Sequence, residues 1–543
     1  MKNYEISGNI VDVVANKIYP GRIKIEDGFI KSIYFSNEKY NNYIMPGFVD
    51  AHVHIESSMM IPSEFARLAV LHGTVATVSD PHEIANVCGM LGVKFMIDNG
   101  KRVPFKFFFG APSCVPATTF ETAGATITPE NIRELLSDPD IKYLSEMMNF
   151  PGVLYEFPEV MEKISIAHEL GKKVDGHAPG LRGEQAEKYI SAGISTDHEC
   201  FTLEEAMDKI AYGMKIIIRE GTAAKNFETL NSLLTTHPEM CMLCSDDKHP
   251  DDLVVSHINK IVARAIEKGH NIFDVLRAAT FNPVKHYNLE VGLLQTGDPA
   301  DFIIVKDLVD FEVTNTYING DLVAENGQTF INPVTTEIIN NFSVNPKKPA
   351  DFKVMANGIE MLNVVEALDG ELVTRLLEYP AKVVDGEIVA DLENDILKIA
   401  VINRYEDVTP AVAFIRNFGL KKGAIASSVG HDSHNIIAVG TSDEDLCKAV
   451  NAVIGNRGGL SAVSDEFTFT LPLPVAGLMS AEDGRIVAEK YHKIDLVSKE
   501  LGSKLHSPYM TLSFMALLVI PSIKLSDKGL FDGQKFEFIP IGK

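Results

Sequence analysis

No run in these 543 residues is apolar for long enough to cross a bilayer. The longest, Met510 to Ile523, falls short of the roughly 20 residues a spanning helix needs and contains Pro521, so it is expected to be a buried strand or core segment. A signal peptide is also missing: Met1 to Pro20 mixes Lys2, Glu5, Asp12 and Lys17 into its apolar residues, which argues against secretion. Cysteine is scarce. The six present (Cys88, Cys114, Cys200, Cys241, Cys244 and Cys447) make no disulfide framework in so long a chain and fit a reducing cytoplasm. The single C-x-x-C, Cys241 to Cys244, lacks the second pair of a zinc ribbon and lies in an apolar strand-like run, so both thiols read as buried small hydrophobes. Basic charge is short as well: 50 Lys and Arg against 74 Asp and Glu leave a net −24, which would repel a polyphosphate backbone and argues against a nucleic-acid binder.

What remains is a large globular chain, 45% hydrophobic, with enough residues for two or more domains. From about Met45 to Asp247, short β-like runs alternate with longer amphipathic stretches. The candidate strands are Ile44–Val49, Thr74–Val78, Lys106–Phe109, Tyr143–Ser145, Lys173–Asp175, Ile194–Thr196, Lys215–Ile218 and Met240–Leu243. Pro158–Leu170 and Arg182–Ala192 carry apolar residues at helical spacing, and a last helix is expected near Asp252–Lys268. Repeated βα units of this total length predict an α/β fold, a (β/α)8 TIM-like barrel over 45–290. The β-rich flanks, 1–44 and 291–345, are too short to fold separately and are expected to join in a small β-sandwich. Beyond the Pro- and Lys-rich linker Asn345 to Pro349, residues 346–543 suffice for a C-terminal α+β domain.

The chemistry gathers at the strand ends, where such barrels hold their active sites. Met45-Pro-Gly-Phe-Val-Asp-Ala-His52-Val-His54 closes the first strand, and alternate strand residues point the same way, so His52 and His54 can face one cation. A bare H-x-H is more often two satisfied histidines; its place at a strand end favours the ligand reading. Glu146 follows strand four, His177 strand five, His198 strand six, and Asp246 and Asp247 strand eight. Histidines with carboxylates suit one or two first-row divalent ions better than calcium or magnesium. His82 and Glu83 follow strand two, either reaching the mouth or forming a turn capped by Asp80-Pro81. Arg219 and Glu220 follow strand seven, as hydrogen-bonding groups for a ligand at the mouth or as a surface ion pair. Gly430-His-Asp-Ser-His-Asn435 is either a loop closing over the mouth or a turn between the strands Ala424–Val429 and Ile436–Val439.

These strand ends, with Phe281-Asn-Pro-Val-Lys-His286 and Gly297-Asp-Pro-Ala-Asp-Phe302, resemble the amidohydrolase superfamily over roughly Met1 to Pro333. The resemblance implies that His52 and His54 hold one metal and His177 and His198 a second, and that Asp246 binds metal while handling protons. Many binuclear relatives bridge their metals with a carbamylated lysine from strand four; here Glu146 stands there and implies a carboxylate bridge. Within the superfamily, His52-Val-His-Ile-Glu-Ser-Ser-Met59, Ser79-Asp-Pro-His-Glu83, Ser145-Glu-Met-Met-Asn-Phe-Pro-Gly152 and Asp175-Gly-His-Ala-Pro-Gly180 resemble the adenine deaminases, as does Gly430 to Asn435 in the tail. That likeness implies hydrolysis of adenine to hypoxanthine and ammonia in purine salvage, with two divalent ions, manganese or iron with zinc also possible. It places Asp246, Glu83 and His82 in catalysis and Glu56, Arg219, His431 and His434 around the purine, with either Glu83 or Glu56 as the acid toward a ring nitrogen. A cyclic amidase, an N-acetyl sugar deacetylase or a non-catalytic metal-binding barrel are the rival expectations. A cytoplasmic homodimer or higher homo-oligomer is the expected state.

Overall fold

The computed structural model describes residues 3–543. Five parallel strands, Phe48–Val53, Thr74–Ser79, Lys106–Ala111, Ile141–Met147 and Lys173–Gly176, form one arc, and Thr196–Asp197, Lys215–Arg219 and Cys241–Cys244 form another. Backbone hydrogen bonds join the arcs at both seams. The Ser195 N–H donates to the Val174 carbonyl (2.9 Å), and the Asp246 N–H donates to the His52 carbonyl (3.0 Å). The result is a TIM-like barrel whose strand ends share one rim.

The expected strands recur within two residues at each end, with one exception. Ile44–Val49 is two strands, because Gly47 separates Tyr43–Pro46 of an outer sheet from Phe48–Val53 of the barrel. A Cβ at Gly47 would lie 2.3 Å from Val75 Cγ1, so only glycine lets the chain cross this close to the second strand. The helices Pro158–Glu169 and Gly183–Ser191 match the amphipathic segments. The single helix expected over Asp252–Lys268 is instead Pro250–Val255 and Ile258–Glu267. The break frees His257 to set Nε2 2.9 Å from Asp50 Oδ2 and Nδ1 2.6 Å from Thr74 Oγ1.

The two flanking β segments meet in one continuous eight-stranded sheet, as their expected joining requires. Tyr43–Pro46 is its keystone, parallel to Asn3–Asp12 on one side and antiparallel to Phe302–Val305 on the other. A second eight-stranded sheet forms the C-terminal unit. Alternate residues of its strands face opposite ways. Ala400, Ala424, Ala426 and Ala438 pack with residues of the helix Asp443–Gly455, while Ile399, Val401, Ile425 and Val439 enter a core shared with the barrel. Backbone bonds cross the junction too, from the Ser480 N–H to the Met59 carbonyl (2.8 Å). The expected linker is fixed in place: Lys347 Nζ reaches Asp407 Oδ1 (2.6 Å) and its N–H donates to Asn451 Oδ1 (2.8 Å). Met510 to Ile523 is buried core as expected, but starts as the helix Pro508–Ser513. Cys241 and Cys244 are free and buried. Among the described residues, no helix is long and apolar enough to cross a membrane.

Candidate active site

His52 and His54 leave the first strand side by side, buried, with their Nε2 atoms 3.2 Å apart. Asp246 Oδ1 lies 3.5 Å from His52 Nε2 and 3.3 Å from His54 Nε2. Glu146 divides its carboxylate: Oε1 is 3.3 Å from His54 Nε2, and Oε2 is 2.7 Å from His177 Nδ1 and 3.1 Å from His198 Nε2. Its oxygens thus face one histidine group on each side. Neutral imidazole ligates a metal only through its unprotonated nitrogen, and such nitrogens converging with anionic oxygens in a buried pocket make a set that divalent first-row ions fit. His177 Nε2 is buried with no hydrogen-bond partner, which leaves a second ring nitrogen available.

The neighbouring side chains hold this cage rigid. Asp246 has a left-handed backbone (φ 52°), a conformation that Asp tolerates better than most residues. Its backbone closes the barrel against His52 while its side chain turns inward. Arg219 is wholly buried beneath it: Nη1 donates to Asp246 Oδ2 (2.7 Å) and to Glu199 Oε1, Nη2 to Glu199 Oε2 (3.1 Å), and Nε to the Ala224 carbonyl (2.6 Å). Asp197 accepts from the Ala178 N–H (3.2 Å), the Glu199 N–H (2.6 Å) and Lys209 Nζ (2.8 Å), so it links the loops that carry His177 and His198. The Tyr189 hydroxyl accepts from the His177 N–H (3.1 Å) and donates to the Met147 carbonyl (2.8 Å). Such outer partners fix the orientation of ligands.

A second cluster meets the cage from the C-terminal unit. The Gly430 to Asn435 loop is buried against the barrel, where His431 Nδ1 lies 2.6 Å from Glu83 Oε1 and His434 Nε2 pairs with Glu83 Oε2. His82 stands between the clusters, 3.4 Å from Glu146 Oε1 through Nδ1 and 3.4 Å from Glu83 Oε1 through Nε2. Burial alone would raise the Glu146 carboxyl, but His177 and His198 hold it well below the usual carboxylate range. Burial is likewise outweighed at Asp246, by Arg219, His52 and His54, and at Glu83, by His431 and His434. His431 rises to about 9, because the Glu83 and Asp247 charges exceed the effect of burial. Burial pushes Glu56 up to about 7.

The structure therefore gathers His52, His54, Glu146, His177, His198 and Asp246 in one cage, with His82, Glu83 and His431 on the adjoining wall. It separates the adjacent aspartates: Asp246 faces the histidines, whereas Asp247 Oδ1 accepts from Ser57 Oγ (2.5 Å). Glu56 is set back, its Oε1 accepting from the Ile84 N–H (3.2 Å). Arg219 borders the cavity but has its donors committed to Glu199, Asp246 and Ala224, and Glu220 pairs with Arg264 (2.7 Å). His434 grips Glu83 from behind. Asp80, expected only as a turn cap, and Glu199 and Asp432, which the sequence does not mark as ligands, join groups of potential ligands with His82, His177 and Glu83. Asp80 and Glu199 stand next to or near a named histidine at a strand end, which was the available signal; Asp432 had none beyond its motif.

Residues 43–323 match the amidohydrolase family, and residues 371–537 match the adenine deaminase C-terminal domain. The chain is 56% identical to an adenine deaminase of Sulfurovum sp. (strain NBC37-1), over 98% of this chain and 99% of that one. The chain belongs to the adenine deaminase family. Adenine deaminases of Salinibacter ruber and Methanosarcina mazei agree at 54% and 51% identity, covering 99% and 100% of this chain and 98% and 99% of theirs. The family's two regions are the two that meet at Glu83 and His431, so the cage and the wall beside it come from both.

Proposed function

We infer that the protein is a hydrolase that converts adenine and water to hypoxanthine and ammonia at the barrel mouth. The observation that carries this reading is the contact of Glu83 with His431 and His434, by which the family's own C-terminal region completes the wall of a histidine and carboxylate cage. In this reading 45–290 is the catalytic barrel, 1–44 and 291–345 form the β unit beside it, and 346–543 is the adenine deaminase-type C-terminal domain.

His52, His54 and Asp246 on one side, and His177 and His198 on the other, would hold two divalent ions with Glu146 between them. Manganese and iron suit the set, and zinc is also accepted. Ions there supply Lewis acidity and an activated water near neutral pH. Asp246 takes the proton of the attacking water and passes it to the departing amine at C6, while Arg219 holds its carboxylate in place. Glu83, held ionised by His431 and His434, passes a proton from the His431 imidazolium to a ring nitrogen, and His434 fixes its position. His82 lies between Glu83 and Glu146 and couples the protonation of the wall to the cage. Arg219 orients Asp246, and Glu56 supports the Ile84 amide at the start of the segment bearing Glu83, so both act on the purine only through their neighbours. We place the enzyme in the cytoplasm as a homodimer or larger homo-oligomer without nucleic-acid partners, on its unpaired cysteines and its acidity.

The test is ammonia and hypoxanthine release from adenine after chelation and after adding back manganese, iron or zinc singly. Activity lost on chelation and restored by one of them is expected. Full activity in the chelated protein, or release from a hydantoin or an N-acetyl sugar but not from adenine, would overturn the reading.

A further inference from the structure

The cavity enclosed by His54, His177, Asp246 and His431 has a volume of only about 30 Å³. That is room for about two waters, so a fused purine ring cannot occupy it without movement. Beside it lies a much larger cleft of about 740 Å³, within the range of small-molecule sites at roughly 300–1,000 Å³. One residue, Met148, lines both spaces. The same C-terminal segment contributes to each, Leu517 to the cage and Val519 to the cleft. The barrier between them is therefore an unbranched thioether and aliphatic side chains, which change rotamer readily and need break no ion pair.

The cleft is also tied to the cage by hydrogen bonds. Ser113, on its wall, donates from Oγ to the Glu146 carbonyl (2.5 Å), and Met148 is two residues beyond Glu146. At the outer end stand Tyr155, 75% exposed, and Phe157, 49% exposed, with ring centroids 6.4 Å apart and planes 27° from parallel. The pair presents an exposed aromatic surface on which a flat ring can stack. Their chemistry suits an uncharged heteroaromatic base better than a nucleotide, whose phosphate the chain's net −24 would repel.

We propose that this cleft is the vestibule through which the free purine base reaches the cage and the product leaves, with the Met148 side chain as its gate. The choice of purine rests on the function inferred above; the route does not.

The test blocks the cleft after folding. Thr119, exposed on its rim, is changed in Thr119→Cys and given a bulky aromatic adduct through a reducible disulfide, with the treated wild type as control. Two rates are followed: kcat/KM for adenine, and metal loss to the planar chelator phenanthroline, which reads access without turnover. Both are expected to fall by about tenfold and to recover on reduction, because the encounter step is obstructed and the chemistry is not. Val519→Trp should act likewise without a label. If the adduct is in place and both rates are unchanged, the route is wrong. A shift in oligomeric state with unchanged rates would assign the aromatic mouth to a second copy of the chain and overturn the proposal as well. Slowed chelation with no adenine turnover in any form would support the route and overturn the substrate.

Discussion

Glu146 faces four histidines and carries the negative charge that keeps them together, so charge and geometry can be separated there by a single atom. Glu146→Gln retains shape and loses the anion; ammonia release from adenine should fall by on the order of 100-fold or more, with metal content reduced, since even outer partners of a ligand are worth about 10–100-fold. Glu169→Gln is the control, because Glu169 only pairs with Arg133 on the surface, where an ion pair is worth about 0–1 kcal/mol. Equal and mild effects of the two substitutions, read by metal analysis and turnover, would remove Glu146 from the centre. Arg219 allows a second separation. Arg219→Lys keeps a cation but not the fork that joins Glu199 to Asp246, so kcat should drop by about tenfold or more while KM changes little. A raised KM with kcat intact would mean that this side chain reads the purine after all. The sequence alone did not divide these roles: it puts Arg219 at a strand end, but only the fold shows its donors already spent on Glu199, Asp246 and Ala224.

The elements were legible in the sequence wherever a period survived. Parallel strands buried on both faces read as short apolar runs between amphipathic helices, which is why the barrel was visible before its contacts were. Two boundaries failed for a shared reason, that a tertiary contact overrode a continuous local pattern. Ile44–Val49 looks like one strand until Gly47 lets it pass Val75, and the helix over Asp252–Lys268 stops where His257 is drawn to Asp50 and Thr74. The Gly47 crossing gives a stability prediction. Gly47→Ala forces a methyl to within 2.3 Å of Val75 Cγ1, an overpacking that should cost roughly 1–3 kcal/mol in denaturant unfolding. Val75→Ala in the same chain removes the two nearest atoms, leaves only Cβ at 2.9 Å, and should recover part of the loss relative to the sum of the single changes. Simple additivity in that cycle would show that the clash is relieved by backbone movement instead.

At the scale of the whole molecule, the barrel and the C-terminal unit share one apolar core, which runs from Val53, Met60 and Leu68 through Val475, Met479 and Val487. The two should therefore unfold together. A histidine sits at the same junction. His249, in the loop after the eighth barrel strand, shares a 2.5 Å hydrogen bond through Nδ1 with the hydroxyl of Tyr491 on the C-terminal helix Gly484–Glu500, and burial drives its pKa down to about 3. In the unfolded chain an ordinary histidine titrates near 6.5, so above that pH neither state is protonated and His249 makes stability no more pH-dependent. Below it the unfolded chain binds a proton that the native state refuses, and stability falls by about 1.4 kcal/mol per pH unit until the folded pKa is reached. Urea unfolding between pH 7 and pH 4.5 should thus show a shallower acid loss for His249→Asn than for the wild type. Because other histidines slope the same way, the half-buried His72 and His286 among them, the difference between the two proteins is the quantity to read. Parallel slopes would mean that the junction opens to solvent before the imidazole is protonated, and that the barrel and the C-terminal unit separate ahead of global unfolding.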